Sequence, residues 1–278
     1  MPNGHQSRAG APPKSSRERP GRATLLNHVV PPLVLLVVVI GIWEGVSYVV
    51  LDPSRRFLLP PLQQVIQQSF LVGRNLTTLL SALGVTAELA LIGLGVAMML
   101  GVGTAVFMKQ SAFIERGLYP YLVLLQTVPI LALVPLIGFW IGFSTTARIV
   151  VCVLIALFPI IANTTLGLNA PTAPHHDLFK LHHASRTTTL TKLMLPAALP
   201  AMFTGFRISA GLSVVGEIVG GFFFQRGPTD LGILVNSYVD DLNGPLLFGA
   251  IIFSAVLGVV VFWAFTALGE AVYRPWKE

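Results

Sequence analysis

The sequence predicts an all-α integral membrane protein with about six transmembrane helices, and two observations lead to this prediction. Of the 278 residues, 54% are hydrophobic and only 11% are charged, whereas a soluble domain carries about 25% charged residues. Six apolar runs also reach the length of about 20 residues that a helix needs to cross a bilayer. The six predicted spans lie at about 29–51, 80–107, 118–142, 147–168, 199–224 and 246–268.

The two ends of the chain are predicted to lie outside this transmembrane domain, which covers residues 25–272. Residues 1–24 are rich in Gly, Pro, Ser and Arg, and so few apolar residues cannot offset the entropy cost of ordering. We therefore expect a disordered basic tail there. Residues 273–278 form a second, short tail.

The distribution of Lys and Arg predicts the orientation. With the N-terminus in the cytoplasm, twelve of these residues fall inside and five outside, if Arg207 within the fifth span is left out. Cytoplasmic loops carry the excess of Lys and Arg, so both termini and the connection at 169–198 are expected in the cytoplasm. The five outer residues are Arg55, Arg56, Arg74, Arg148 and Arg226. The expected location is the cell inner (plasma) membrane, as a multi-pass protein.

Several kinds of chemistry are excluded by the sequence. There is no Gly-x4-Gly-Lys-Ser/Thr loop for ATP phosphates, no His-Glu-x-x-His and no Gly-x-Ser-x-Gly. We therefore expect no catalytic residue and no metal site. His175-His176 and His182-His183 are explained by an exposed polar loop. The net charge of +6 reflects orientation in the membrane, and nucleic acid is not an expected partner.

Small residues recur at four-residue spacing in the second, fifth and sixth spans. Residues four apart share a helix face, and small ones let helices approach closely where lipid provides no hydrophobic drive. Two interpretations stay open, namely packing within the chain and a dimer seam or translocation pathway. The three sets are Gly93, Ala97, Gly101 and Ala105; Gly205, Ser209 and Ser213, followed by Glu217; and Ala250, Ser254 and Gly258.

Prolines interrupt the third and fourth spans, at Pro129, Pro135 and Pro159. Each removes a helix hydrogen bond and is expected to kink its span. Such breaks are tolerated at membrane depth where protein or a water-filled cavity satisfies the freed carbonyls. The prolines thus indicate either a pathway near these helices or a purely structural kink.

Four ionisable residues fall within the predicted spans and are functional candidates, because charge is costly at membrane depth. They are Glu44, Glu88, Arg207 and Glu217. Glu217 lies ten residues after Arg207, about 15 Å along a helix, so these two cannot pair directly. The four form no connected series, which argues against a proton relay.

The connection between the fourth and fifth spans is the most informative segment. It reads as two short helices joined by a turn, and a long ordered loop in a compact membrane domain usually has a function. Leu178 and Phe179 would expose apolar surface to the cytosol unless a partner covers them. This pattern predicts a docking element for a soluble cytosolic protein.

The same segment resembles the EAA motif of the permease subunits of binding-protein-dependent ABC importers. That motif runs Glu-Ala-Ala, three residues, Gly, nine residues, then Ile-x-Leu-Pro. Anchored on Leu195-Pro196, the alignment puts Asp177-Leu178-Phe179 at Glu-Ala-Ala, His183 at Gly and Leu193 at Ile. Glycine there permits a left-handed turn, and His is among the other residues enriched in that conformation.

Other segments are similar, in order and spacing, to the nitrate, sulfonate, taurine and pyrimidine-precursor branch of this family. They include Trp43-Glu44, Leu59-Pro60-Pro61, Pro129 to Gly142, Phe158-Pro159-Ile160, Gly205-Phe206-Arg207-Ile208 and Leu231-Gly232. The resemblance implies a type I importer permease with a cytoplasmic coupling helix between helices four and five. It also implies a second permease copy as a homodimer, two cytosolic ATPase subunits that bind the ATP, and an extracytoplasmic solute-binding protein.

The resemblance further implies which residues act. Contact with the ATPase is expected from the coupling loop: Asp177, Leu178, Phe179, Lys180, His183, Ala184, Ser185, Leu195 and Pro196. A pathway for a small polar solute, working by alternating access, is expected to involve Gln126, Thr127, Pro129, Asn163, Ser209, Ser213 and Glu217, although buried polar groups also stabilise helix pairs. The alternatives are a secondary transporter or channel independent of an ATPase, and a membrane-embedded enzyme.

Overall fold

The computed structural model describes residues 22–273, and side chains within 30–272. Every regular element in this range is helical, so the all-α prediction is confirmed. Of the predicted tails, residues 1–21 and 274–278 lie outside the described residues. The chain forms two compact units, divided after Pro53.

The first unit holds one long helix, α1 (Arg22–Gly45), which continues as a π-helical turn at Val46–Val50. Its stretch Val30–Val50 is long and apolar enough to cross a membrane. Ser47 is the one fully buried residue between positions 30 and 50. Most side chains of this stretch are apolar and exposed, as lipid contact requires. The backbone groups of a helix bond to one another, which lipid also requires, so the stretch suits a membrane span.

The second unit, Ser54–Glu278, holds the remaining helices. The long ones agree with the predicted spans to within a few residues, except that α3 begins earlier. At 36 residues, α3 is about 54 Å long and exceeds the hydrocarbon core. The helices are α2 (Leu62–Ile66), α3 (Gly73–Met108), α4 (Ala112–Thr127), α5 (Ile130–Ile141), α6 (Thr145–Leu168), α7 (Ala173–Leu181), α8 (Arg186–Thr189), α9 (Leu195–Phe224), α10 (Leu231–Asp240) and α11 (Gly244–Tyr273).

The predicted third span at 118–142 is wrong as a single kinked helix. α4 and α5 meet at an angle of 98°. Val128 is extended, with φ −67° and ψ 127°, because the proline that follows it disfavours the helical conformation. Pro135 and Pro159, in contrast, lie inside continuous helices. The described residues therefore contain five candidate spans, or six if the α4–α5 pair counts as one.

The core is built around α6 and α9, which form the most extensive helix pair, with α3 and α11 packed beside them. One buried apolar cluster joins the four helices. Leu94 of α3, Ile160 of α6, Phe206 and Val214 of α9, and Leu257 of α11 all belong to it.

The small-residue sets on α3 and α9 lie in this core, which favours packing within the chain over a dimer seam. Their members are all buried. A Cβ at Gly93 would collide with Cys152, one at Gly101 would lie 2.6 Å from Ile160 Cγ2, and one at Gly205 would lie 2.9 Å from the Pro159 carbonyl oxygen. The set on α11 differs, because Gly258 has open space at its Cβ.

Two glycines of α9 provide a matched test of this packing. A Cβ at Gly216 would lie 2.9 Å from Cys152 Cα, whereas a Cβ at Gly211 would meet nothing within 4 Å. We expect Gly216→Ala to lower the free energy of unfolding by about 1–3 kcal/mol through overpacking. Gly211→Ala should be neutral or stabilise by up to about 1 kcal/mol, since Ala has the higher helix propensity. Thermal unfolding of both variants in detergent checks the difference, and equal midpoints would contradict the packing.

Candidate functional site

The connection between α6 and α9 begins with α7, whose end matches the predicted turn. His183 has a φ of +50°. Its N–H donates to the Lys180 carbonyl at 2.9 Å, and the Ala184 N–H donates to the Phe179 carbonyl at 3.0 Å. This pair of bonds is a Schellman motif, in which the left-handed position usually holds glycine. The predicted left-handed turn at His183 is confirmed.

The second half of the connection is continuous with α9. Ser185 caps α8, its hydroxyl accepting the Thr188 N–H at 3.1 Å. α8 then passes through a π-helical turn at Leu190–Met194 into α9, so that Arg186–Phe224 reads as one helical segment. The π turn stands just before Pro196, which has no N–H to donate to the preceding turn. The second of the two predicted short helices is therefore α8, which is continuous with α9.

α7 exposes two leucines. Leu178 is 53% and Leu181 is 78% exposed, and residues three apart share a helix face. The prediction that Phe179 is exposed is wrong, because Phe179 is half-buried. Leu181 was missed, although helical spacing from Leu178 could have found it. Asp177 and Lys180 pair at 3.0 Å on the surface of the same helix.

A groove of about 330 Å³ lies where α4 and α5 separate, facing α6 and α9. Gln126 is the one predicted pathway residue among its lining side chains. Pro159 also contributes, and because it lacks an N–H it removes the helix donor of the Ile155 carbonyl. The lining residues are Leu125, Gln126, Val128, Ile130, Leu154, Ile155, Phe158, Pro159 and Leu212.

The other predicted pathway residues are more dispersed. Thr127 and Pro129 are exposed at the α4–α5 break, and the Asn163 amide donates to the Pro159 carbonyl at 2.8 Å. Ser209 and Ser213 are fully buried. The Ser209 hydroxyl donates to the Ala156 carbonyl of α6 at 2.6 Å, and the Ser213 hydroxyl donates to the Ala210 carbonyl at 2.9 Å. Both serine hydroxyls are thus engaged with main-chain carbonyls.

Glu217, the last predicted pathway residue, takes part in an ion network that the sequence analysis missed. Arg148 and Glu217 are both completely buried, and Arg148 Nη2 lies 2.6 Å from Glu217 Oε1. The guanidinium also contacts the Asp230 carboxylate, which is equally buried. Arg148, which was counted among the outer residues, is therefore a buried residue of α6 and not an exposed one. The predicted fourth span began at residue 147, so its first turn already contained this arginine.

The network holds the connection between α9 and α10. Arg148 Nη1 donates to the carbonyls of Arg226 at 3.1 Å and Pro228 at 3.2 Å. Asp230 caps α10 by accepting the Ile233 N–H at 2.6 Å. The arginine thus ties α6 to α9 and to this connection, at the end of α6 opposite the coupling loop.

α3 joins the same region through a separate hydrogen bond. The Leu231 N–H, in the first turn of α10, donates to the Thr86 hydroxyl of α3 at 3.0 Å. Thr86 is also fully buried. Four helices therefore meet around the arginine, through polar groups that need partners in the absence of water.

The matches to known proteins agree with this architecture. Residues 93–273 match the family model described as binding-protein-dependent transport system inner membrane component. The chain belongs to this family. The formylaminopyrimidine transport permease protein ThiX of Halalkalibacterium halodurans is 30% identical over 247 residues, covering 89% of this chain and 96% of that protein. The taurine transport system permease protein TauC of Escherichia coli is 26% identical, covering 94% of each chain.

A solved structure supports the fold independently. A chain of the MetNI methionine ABC transporter, in inward-facing conformations, matches with a TM-score of 0.63 and 16% identity, covering 72% of this chain and 98% of that one. The predicted type I permease fold and the nitrate, sulfonate and taurine branch are confirmed. This permease is a multi-pass inner membrane protein, and in its family the ATPase is a separate subunit.

Two arginines provide a test of the buried network. Arg148→Met leaves two buried carboxylates without their cation, and breaking such a group costs about 3–5 kcal/mol. The side chain of Arg226 is exposed, so Arg226→Met should change stability by less than about 0.5 kcal/mol. Thermal unfolding of the purified permease measures both. A small, equal effect of the two substitutions would show that the buried contacts do not stabilise the fold.

Proposed function

We propose that this permease forms the translocation path of an ATP-driven importer, and that residues 173–196 couple it to the ATPase. The observation that carries the proposal is the form of the connection between α6 and α9. The helix α7, which exposes Leu178 and Leu181, ends in a tight left-handed turn at His183 and leads into a helical segment that runs on through α9. A displacement of α7 would therefore be passed to the core helix.

The exposed leucines of α7 supply the docking energy. Fully burying a leucine contributes about 1.5–3 kcal/mol, so Leu178 and Leu181 together offer several kcal/mol to a protein that covers them. The excess of Lys and Arg supports a cytoplasmic position for this loop and for both termini, on the side where an ATPase would be found. Two permease copies, two ATPase subunits and an extracytoplasmic binding protein would make up the transporter.

The groove beside Gln126 is proposed as part of the pathway. Its lining side chains are apolar apart from Gln126, and none of them is charged. Such a surface suits a neutral or zwitterionic polar solute better than an anion, which would need fixed positive charge. A pyrimidine-type heterocycle or a zwitterionic sulfonate fits this description, in keeping with the names of the two relatives. Rocking of the two permease copies would open the groove to alternate sides.

A substitution on α7 tests the docking claim. Leu181→Asp places a charge in the proposed interface, and we expect at least a tenfold drop in the ATPase that co-purifies with the permease. The matched control is Leu242→Asp, because Leu242 is 63% exposed and lies in the connection between α10 and α11, outside the proposed docking segment. Co-purification unaffected by Leu181→Asp would remove the docking claim and would favour a secondary transporter or channel.

Cysteine labelling tests the groove. The native Cys152 is buried, so it adds little background with a charged thiol reagent, which needs an ionised, water-accessible thiol. We expect Gln126→Cys to react rapidly in membranes and to be protected by transported solute. The control is Val259→Cys, in the middle of α11 and 56% exposed, which should react slowly because lipid surrounds it. Equal rates at both positions would contradict a water-filled groove.

A further inference from the structure

A second cavity, of about 490 Å³, lies between α7, α8 and the end of α3. Three of its lining side chains are cations, one from each of these elements: Lys109 follows α3, Lys180 is on α7 and Arg186 begins α8. No carboxylate is among the lining residues. They are Lys109, Gln110, His176, Lys180, Ala184, Arg186, Thr189, Leu190 and Met194.

The cations of this cavity are only partly neutralised by their neighbours. Lys109 Nζ lies 3.9 Å from Glu115 Oε2 and also donates to the side chain of Asn169. Lys180 pairs with Asp177 at 3.0 Å. Within residues 30–272, Arg186 makes no side-chain ion pair. Of the three cations, only Arg186 therefore carries a positive charge that no nearby carboxylate among the described residues compensates. The planar guanidinium of arginine is the side chain whose donors best match a phosphate.

The cavity and the proposed docking surface lie on different faces of α7. His176 and Lys180 are four residues apart and share the face that lines the cavity. Leu178 and Leu181 lie on the opposite face and are exposed. A ligand in the cavity would therefore sit between α7 and the transmembrane helices, leaving the leucine face free.

The far side of the cavity is apolar. Leu190 and Met194 line it from the π-helical turn that leads into α9, and Met194 is only 7% exposed. A free phosphate would gain nothing from these side chains, whereas the glycerol and first acyl carbons of a lipid could pack on them. Basic pockets between transmembrane helices at the membrane surface bind anionic headgroups in this manner.

We propose that this cavity binds a phosphate anion, supplied by the headgroup of an anionic phospholipid such as phosphatidylglycerol. The lipid would tie α7 to the ends of α3 and α9. The proposal needs only that these helix ends lie at the membrane surface. It does not depend on the ATPase, on transport or on the solute.

Lipid retention by the purified permease tests the proposal. The full-length protein would be placed in nanodiscs of phosphatidylcholine with a minor fraction of phosphatidylglycerol, and the lipids it retains counted by native mass spectrometry. A surface charge contributes about 1 kcal/mol to binding an anionic lipid, a factor of about five. We expect Arg186→Ala to lower retention of phosphatidylglycerol about fivefold, and Lys109→Ala with Arg186→Ala about 25-fold.

Two variants control for general effects. Lys192→Ala removes an exposed cation of the same connection that does not line the cavity, and it should leave retention within about twofold of the parent. Arg186→Lys keeps the charge and should retain most of the lipid, even if Arg186→Ala proves unstable. Equal retention in all variants, or an equal loss with Lys192→Ala, would overturn the proposal and leave the cations as a surface for protein contacts.

Competition by inorganic phosphate separates the two sources of the anion. If the lipid is the ligand, millimolar phosphate should leave phosphatidylglycerol bound. If phosphate instead displaces phosphatidylglycerol from the parent protein but has no such effect on Arg186→Ala, the cavity is an anion site. That result would overturn the lipid as the source of the anion.

Discussion

The fully buried contact between Arg148 and Glu217 is the constraint on which the α6–α9 pair depends. Charge within a membrane domain is costly, and here the Arg148 guanidinium contacts the Glu217 and Asp230 carboxylates and donates to two main-chain carbonyls. The small residues of α9 allow the close approach that this contact needs. Gly220 stands directly against Arg148, where a Cβ would lie 3.1 Å from its Cα. The close packing of α9 on α6 at Gly220 and the ion pair between Arg148 and Glu217 therefore occur together.

This contact also defines how α9 can act. One end of the helical segment begins after the Ser185 cap, and Glu217 lies 32 residues further on, about 48 Å away along a straight helix. The far end is fixed to α6 and to the connection before α10, whereas the near end leads into α7, whose leucines are exposed. Movement of α7 would thus tilt a stiff element about a fixed point, and the groove beside Leu212 lies along that element.

The features predicted correctly are those encoded in local patterns. Apolar runs predicted the spans, because helix formation in lipid depends on neighbouring residues. The left-handed turn at His183 was implied by the resemblance of the loop to the EAA motif, anchored on Leu195-Pro196. The bend at Pro129 is larger than the expected kink, because a proline in the sequence shows that a helix is disturbed but not the angle of the bend. Phe179 was expected to be exposed and Leu181 was missed, because the face of α7 that packs inward depends on distant helices. The acidic partners of Arg148 lie 69 and 82 positions further along the chain, and no local pattern indicates which acidic residues pair with it.

Coupling by this route requires α8 and α9 to act as one stiff connection between the coupling loop and the pathway. Replacing Thr187-Thr188-Thr189 by three glycines tests it directly, because glycine disfavours helix by about 1 kcal/mol per residue relative to alanine. Three alanines at the same positions form the control. In proteoliposomes, we expect the glycine variant to keep its ATPase subunits and hydrolyse ATP but to import far less solute per ATP than the alanine variant. Equal import per ATP in the two variants would contradict a stiff connection.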